Sequence, residues 1–199
     1  MNENRQGRFR PDGGALVMLA LLALCVALFA LSRGEALRVL PTPLYVFLRM
    51  ASIVGIIGIP AFFIGESLPR SIYDPNRFPF RSWKWERDGQ IYEKLGIRWF
   101  KAHSLDMSKL LKSAFPKQHT MSRDVGHLRR LVQEMCNAEL VHWILALFSP
   151  VFAWLIEGWY GNIIAVGYAL SNLSDIMIQR YNRPRIMQIL TRLEKCASY

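Results

Sequence analysis

Two sets of residues have the types and spacing to do chemistry. Tyr168, Asn172, Asp175, Gln179 and Asn182 recur at steps of four, three, four and three. On a helix that spacing draws one polar stripe. The segment around it is apolar enough to enter a membrane. An ionisable residue such as Asp175 is costly there, so it faces a partner or a water-filled site. Upstream, Glu139 and His142 stand three apart in Ala138-Glu139-Leu140-Val141-His142-Trp143 and share a helix face. A carboxylate beside an imidazole raises its basicity and fixes its tautomer. That is the arrangement of a general base acting on a hydroxyl. Glu134, eight residues before His142, falls roughly on the same side. The competing assignment is a polar collar that seats a helix at the membrane interface.

Directly after the stripe comes Gln179-Arg180-Tyr181-Asn182-Arg183-Pro184-Arg185. Arginine forks suit phosphate groups, such as those of coenzyme A or a lipid head. A positive-inside anchor would explain the charge but not the intervening Tyr181 and Asn182. His119 and Asp124 have the H-x-x-x-x-D spacing that glycerolipid acyltransferases use. The other blocks of those enzymes are absent, and the two residues do not share a helix face, so the pair reads as a chance match. His103 with Asp106 reads as a solvated pair. No glycine-rich phosphate loop, nucleophile elbow or metal-ligand cluster is visible. The sequence therefore calls for no bound cofactor and no metal.

These residues must be held by membrane helices. The chain has 199 residues, 52% of them hydrophobic, and a mean hydropathy of +0.14. Its apolar residues are gathered into blocks. A formal charge of +10 would suggest nucleic acid in a soluble protein. Here the basic residues sit between apolar blocks, which points to anionic lipid headgroups and the positive-inside rule, not nucleic acid. Cys25, Cys136 and Cys196 are far apart and form no C-x-x-C pair, so free thiols are expected rather than a disulfide framework or zinc site.

The expected fold is all-α, with about four transmembrane helices. The first, 14–32, carries no charge and is long enough to span. Its length and the lack of an A-x-A site favour a retained helix over a signal peptide. The second, 44–65, is interrupted by Arg49 and weakened by Gly55, Gly58 and Pro60, so it spans, tilts or re-enters; spanning is the default. The third and fourth, about 139–156 and 160–178, are joined by Glu157-Gly158-Trp159 and form an antiparallel hairpin. Periodicity through Val125, Leu128, Leu131, Val132 and Met135 predicts a helix over 124–137 that runs on into the third span. The chain thus divides into an N-terminal membrane hairpin (1–66), a basic aromatic segment (67–137) and a C-terminal hairpin (138–199). Beyond Pro184 the apolar face of Ile186, Ile189, Leu190 and Leu193 predicts an amphipathic helix on the membrane surface. Four spans place the basic N-terminus (Arg5, Arg8, Arg10), the central segment and the tail on one side, the cytoplasm, in a multi-pass cell-membrane protein.

The chain resembles the glycosyl-4,4'-diaponeurosporenoate acyltransferases of staphyloxanthin-type carotenoid biosynthesis over about Leu68 to Leu193. The marks are the 179–185 motif, the 138–143 motif, Glu134, Trp99 with Lys101 and Asp106, and the aromatic-basic start through Phe80, Trp85 and Glu86. It departs at Asn137, at Ser174-Asp175, at Ser104-Leu105-Asp106 and in its first span. The resemblance implies transfer of a fatty acyl group to a sugar hydroxyl of a glycosylated apolar lipid. Acyl-CoA is the expected co-substrate, and membrane lipids, a glycosylated lipid or carotenoid acceptor and pathway enzymes are the expected partners. In that reading His142 is the base, Glu139 orients it, and Arg180, Arg183 and Arg185 around Tyr181-Asn182 hold the donor's phosphates. Asn172 or Gln179 donates to the thioester oxygen, and Glu134 and Asp175 belong to the substrate site. The alternative is a non-catalytic membrane adaptor that binds anionic lipid or a partner protein.

Overall fold

The computed structural model describes residues 13–34, 37–97 and 124–197. Every regular element among them is helical. His103, Asp106, His119, Trp99, Lys101 and the N-terminal arginines lie outside the described residues.

Helix α1, Gly13–Arg33, carries no charge before Arg33 and is rich in leucine and alanine, both strong helix formers. Helix α2, Thr42–Ser67, opens with a proline in its first turn and carries Pro60 inside. The first position suits proline because that backbone N–H has no helical partner anyway. The 3-10 turns Arg70–Ile72 and Lys84–Glu86 and the short helix α3, Gln90–Lys94, follow. Helix α4, Val125–Leu147, starts where the Asp124 side chain accepts from Gly126 N–H, a standard N-cap. The third expected span is thus a single helix from 125, as the periodicity predicted, until Ser149-Pro150 breaks it. Helix α5, Pro150–Leu155, leads to the joint at Gly158, whose φ of 74° needs glycine.

Helix α6, Trp159–Ala197, has 39 residues and runs straight through Pro184. At 1.5 Å per residue it is about 58 Å long, nearly twice the hydrocarbon thickness. This corrects the expectation of a separate surface helix after Pro184. The tail's apolar face is covered: Ile186, Met187, Leu190 and Leu193 pack on Leu128, Leu131, Val132 and Met135 of α4. A neighbouring helix takes the face that sequence alone would give to lipid.

Among the described residues three helices are long and apolar enough to cross a membrane: α1, α2, and α4 with α5, with mean hydropathies of 2.8, 2.0 and 1.6. The fourth expected span, 160–178, is helical but is not among the three. Asn162, Asn172 and Asp175 lower its average hydropathy. Its polarity is one-sided, however. Trp159, Ile163, Val166, Leu170 and Leu173 form an exposed apolar row, while Asn172 is buried toward α4.

The helices pair as two hairpins. Cys25 meets Gly55 and Ser32 meets Tyr45, so α1 and α2 run antiparallel. His142 meets Asn172 and Arg129 meets Glu194, so α4 and α6 do too. The hairpins join where Gly65 of α2 lies directly against Asn137 and Val141 of α4. No Cβ would fit there. A polar layer locks this contact. Tyr73 Oη donates to Gly65 O at 2.6 Å and lies 3.1 Å from Asn137 Oδ1. Asn137 Nδ2 donates to Glu66 at 2.9 Å. Burial pushes the Tyr73 phenol up to about 12, so it stays a donor.

Candidate active site

Helices α4 and α6 carry two constellations, within one turn of each other on α4 and about two turns apart on α6. The first is closed. Arg180 Nε donates to Glu86 Oε1 at 2.5 Å and its Nη2 to Glu86 Oε2 at 3.1 Å. Its Nη1 donates to Glu139 Oε1. Arg183 Nη1 donates to Glu139 Oε2 and its Nη2 to Phe80 O. Arg180 also reaches Pro79 O at 3.2 Å and Arg81 O at 3.1 Å, and sits 4.3 Å from the Trp83 ring centroid. All four charged residues are at most 2% exposed. Two guanidiniums and two carboxylates make the cluster neutral, and every carboxylate oxygen is occupied. Such saturation is what makes a buried ion pair tolerable.

The cluster clamps the aromatic-basic strap, residues 79–86, onto α6. Burial alone would push the Glu86 carboxyl up. Its hydrogen bonds from Arg180, Tyr92 and Trp83 N–H outweigh that and hold it below its ordinary 4.5. The strap then turns through Arg87, Asp88 and Gly89, three successive residues with φ of 48°, 52° and 88°. A Cβ on Gly89 would sit 3.1 Å from Tyr181 Cα and 3.2 Å from Tyr181 O. The 86–89 turn is therefore a backbone-to-backbone seat on the 179–185 motif.

The second constellation is half-open. His142 Nδ1 lies 3.0 Å from Asn172 Oδ1 and 3.8 Å from Asp175 Oδ2. The His142 and Asp175 side chains are 26% and 25% exposed, enough to meet a second molecule. Asn172 Nδ2 is committed to Tyr168 O at 2.8 Å. Its oxygen must therefore face the imidazole, and Nδ1 must be the donor. That tautomer leaves Nε2 with a free lone pair, which can accept a proton.

The hairpin thus brings His142 together with Asn172 and Asp175, as the stripe predicted. It does not bring Glu139 to His142: both Glu139 oxygens are held by Arg180 and Arg183. The side chain points across the helix pair, not along its own helix. Arg180 spends all five N–H donors internally, and Arg183, 1% exposed, is turned to Glu139, Phe80 O and Cys136, so neither is open to a substrate phosphate. Glu134 leaves the site too, paired with Arg130 at 2.7 Å and Arg70 at 3.3 Å. Arg185 lies 3.6 Å from the Tyr181 ring centroid and 3.1 Å from Glu93, to which Tyr181 Oη donates at 2.9 Å. Gln179 and Asn182 are half-buried. Among the described residues no group of three or more His, Cys, Asp or Glu side chains could hold a metal.

Sequence reasoning missed the partner of the arginines. Glu86 is 94 positions from Arg180, and no periodicity connects them. The available signal was a glutamate beside a D-G turn, preceded by two tryptophans.

Residues 69–192 match the sequence model of the glycosyl-4,4'-diaponeurosporenoate acyltransferases. The chain belongs to this family. The matched region contains the strap, both constellations and nearly all of the α4–α6 pair. A glycosyl-4,4'-diaponeurosporenoate acyltransferase of Staphylococcus aureus strain MRSA252 is 30% identical over 134 residues, covering 66% of this chain and 80% of the relative. Those of strains N315 and bovine RF122 / ET3-1 are each 29% identical over the same length and coverage. No solved structure matches. The family assignment makes the expected enzyme class, an acyltransferase, the class of this chain, and it agrees with the resemblance drawn from the 138–143 and 179–185 motifs.

Proposed function

We propose that this chain is a multi-pass cell-membrane O-acyltransferase that moves a fatty acyl group onto a sugar hydroxyl of a glycosylated apolar lipid. A glycosyl carotenoid, the acceptor in the relatives' name, is the leading acceptor. The observation that carries the reading is the His142–Asn172–Asp175 geometry, half-open between two helices of an acyltransferase-family chain.

His142 Nε2 takes the proton of the sugar hydroxyl as that oxygen attacks the acyl carbonyl. Asn172 holds Nδ1–H, and Asp175 faces the imidazolium as it forms. With acyl-CoA as co-substrate, the C–O bond forms, the C–S bond breaks and the proton passes to the leaving sulfur. One of the two Asn172 Nδ2 donors is spent on Tyr168 O, so donation to the thioester oxygen falls to the other or to Gln179, one turn beyond Asp175. The donor's phosphates fall to exposed Arg81, Lys84 and Arg87 on the strap, since Arg180 and Arg183 are taken. The acyl chain lies between the helices, where each buried methylene contributes about 0.8 kcal/mol. The first half of α6 crosses as a fourth span with its apolar row toward lipid. That puts both termini and the central basic segment on the cytoplasmic side.

The test is mass spectrometry of lipid extracts from a host with a glycosylated lipid pool, expressing wild type or His142→Ala at matched membrane levels. An acceptor that gains one acyl mass only with wild type is expected. Equal acylation by His142→Ala would remove the base assignment. Identical extracts with and without the wild-type chain would favour the adaptor.

A further inference from the structure

At the opposite end of the helices lies a second polar site that acyl transfer does not use. The end of α1, the loop to α2, and the joint from α5 to α6 enclose two adjoining clefts of about 260 and 240 Å³. They are lined by Arg33, Arg38, Arg49, Tyr45, Trp154 and Glu157.

Arg49 is the unusual member. It sits two turns inside α2 and is 3% exposed. Nη1 donates to Tyr45 Oη, which in turn donates to Ser32 O at 3.2 Å. The guanidinium lies 5.7 Å from the ring centroids of both Phe29 and Tyr45. Its buried Nε has no hydrogen-bond partner. The carboxylate at hand is Glu157, 3.8 Å from Arg49 and 3.6 Å from Arg38, with its side chain 70% exposed. One solvated glutamate faces three arginines. Glu35, outside the described residues, still leaves the sequence of this end net positive. A buried cation with an unsatisfied donor is costly, and arginine forks match phosphate oxygens.

We infer that this cleft binds a phosphate-bearing anion, with Arg49 at its floor and Arg33 and Arg38 at its rim. The shared chemistry is a phosphodiester or phosphate oxygen placed among three guanidiniums beside an apolar wall. Its natural sources are an anionic phospholipid headgroup at the membrane surface and a soluble phosphate.

Arg33 and Arg38 are exposed, so Arg33→Gln/Arg38→Gln leaves the core untouched, whereas replacing Arg49 would unseat α1. The full chain in neutral detergent is titrated with phosphatidylglycerol and with phosphatidylcholine, and the tightest adduct is followed by native mass spectrometry. Wild type should prefer phosphatidylglycerol, and the rim variant should lose about tenfold in that adduct, as expected for two headgroup-facing cations. Arg77→Gln/Arg192→Gln, which removes the same charge elsewhere, should retain it. Excess inorganic phosphate then separates the sources. Displacement of the adduct, with a thermal shift that the rim variant lacks, identifies soluble phosphate; no displacement identifies the lipid head. An unchanged adduct in the rim variant, or an equal loss in the control, overturns the site.

Discussion

The Glu86–Arg180–Glu139–Arg183 cluster and the His142–Asn172–Asp175 site share helices α4 and α6 and similar residue types, the cluster adding Glu86 from the strap. They differ in saturation and exposure. In the cluster every carboxylate oxygen has a guanidinium, opposite charges balance, and the residues are at most 2% exposed. In the site an imidazole is tied at one nitrogen and free at the other, beside a carboxylate and open to solvent or substrate. A saturated charge network holds a shape, and an unsaturated one can exchange a proton. Charged residues in a membrane-protein hairpin are thus sorted into structural and chemical roles by what they still have left to donate or accept.

The largest expected effect separates the two regions on rate. His142→Ala should cut turnover by about 10²- to 10⁴-fold, the contribution of a positioned general base, with an unchanged unfolding temperature in detergent. The next separates them on stability. Glu139→Gln leaves the buried Arg183 with no carboxylate and Arg180 with Glu86 alone, and removing one partner of a buried pair costs about 3–5 kcal/mol. Thermal unfolding and membrane abundance should both fall. Gly89→Ala tests the seat of the strap. A left-handed residue packed 3.1 Å from the Tyr181 backbone should lose about 1–3 kcal/mol, measured by the same unfolding assay.

Smaller effects sharpen the contrast. Asn172→Leu should slow turnover about tenfold, the equivalent of one hydrogen bond of roughly 1.4 kcal/mol. Asn172→Asp, which keeps the acceptor for Nδ1–H, should recover part of it. Turnover in Asn172→Asp as slow as in Asn172→Leu would point to packing instead. The smallest effect is on pH. The folded Glu86 carboxyl is held below its ordinary 4.5, so its stabilisation is complete above that value and is lost as pH falls through the lower folded one. Unfolding temperature should therefore drop on the acid side of 4.5, with a shallower slope in Glu86→Gln.

The stripe at 168, 172, 175, 179 and 182 was legible because helical periodicity and a short hairpin joint are local signals. So was the start of the helix near residue 124. The mispairing of Glu139 with His142 has a physical cause. Spacing of three places two side chains on one face, but a better partner across the interface decides which one each meets. Arg180 and Arg183 were read as free for phosphate because their shared carboxylate, Glu139, was assigned to His142, and because Glu86, the second partner of Arg180, lies in the strap at a distance in sequence that no pattern spans. The continuous α6 was hidden by Pro184, whose helix-breaking tendency is overridden by packing of the tail on α4. Hydropathy alone ranks 160–178 below the other spans, because an average cannot see that Asn172 and Asp175 are turned toward His142 of α4.

The most direct test of the division between shape and chemistry is acyl transfer per folded molecule, with folded protein counted by size-exclusion chromatography in detergent. Glu139→Gln should give fewer folded molecules, each turning over near the wild-type rate. His142→Ala should give a full yield of folded molecules with almost no turnover. Folded but inactive Glu139→Gln beside active His142→Ala would place the chemistry in the closed cluster and contradict the account.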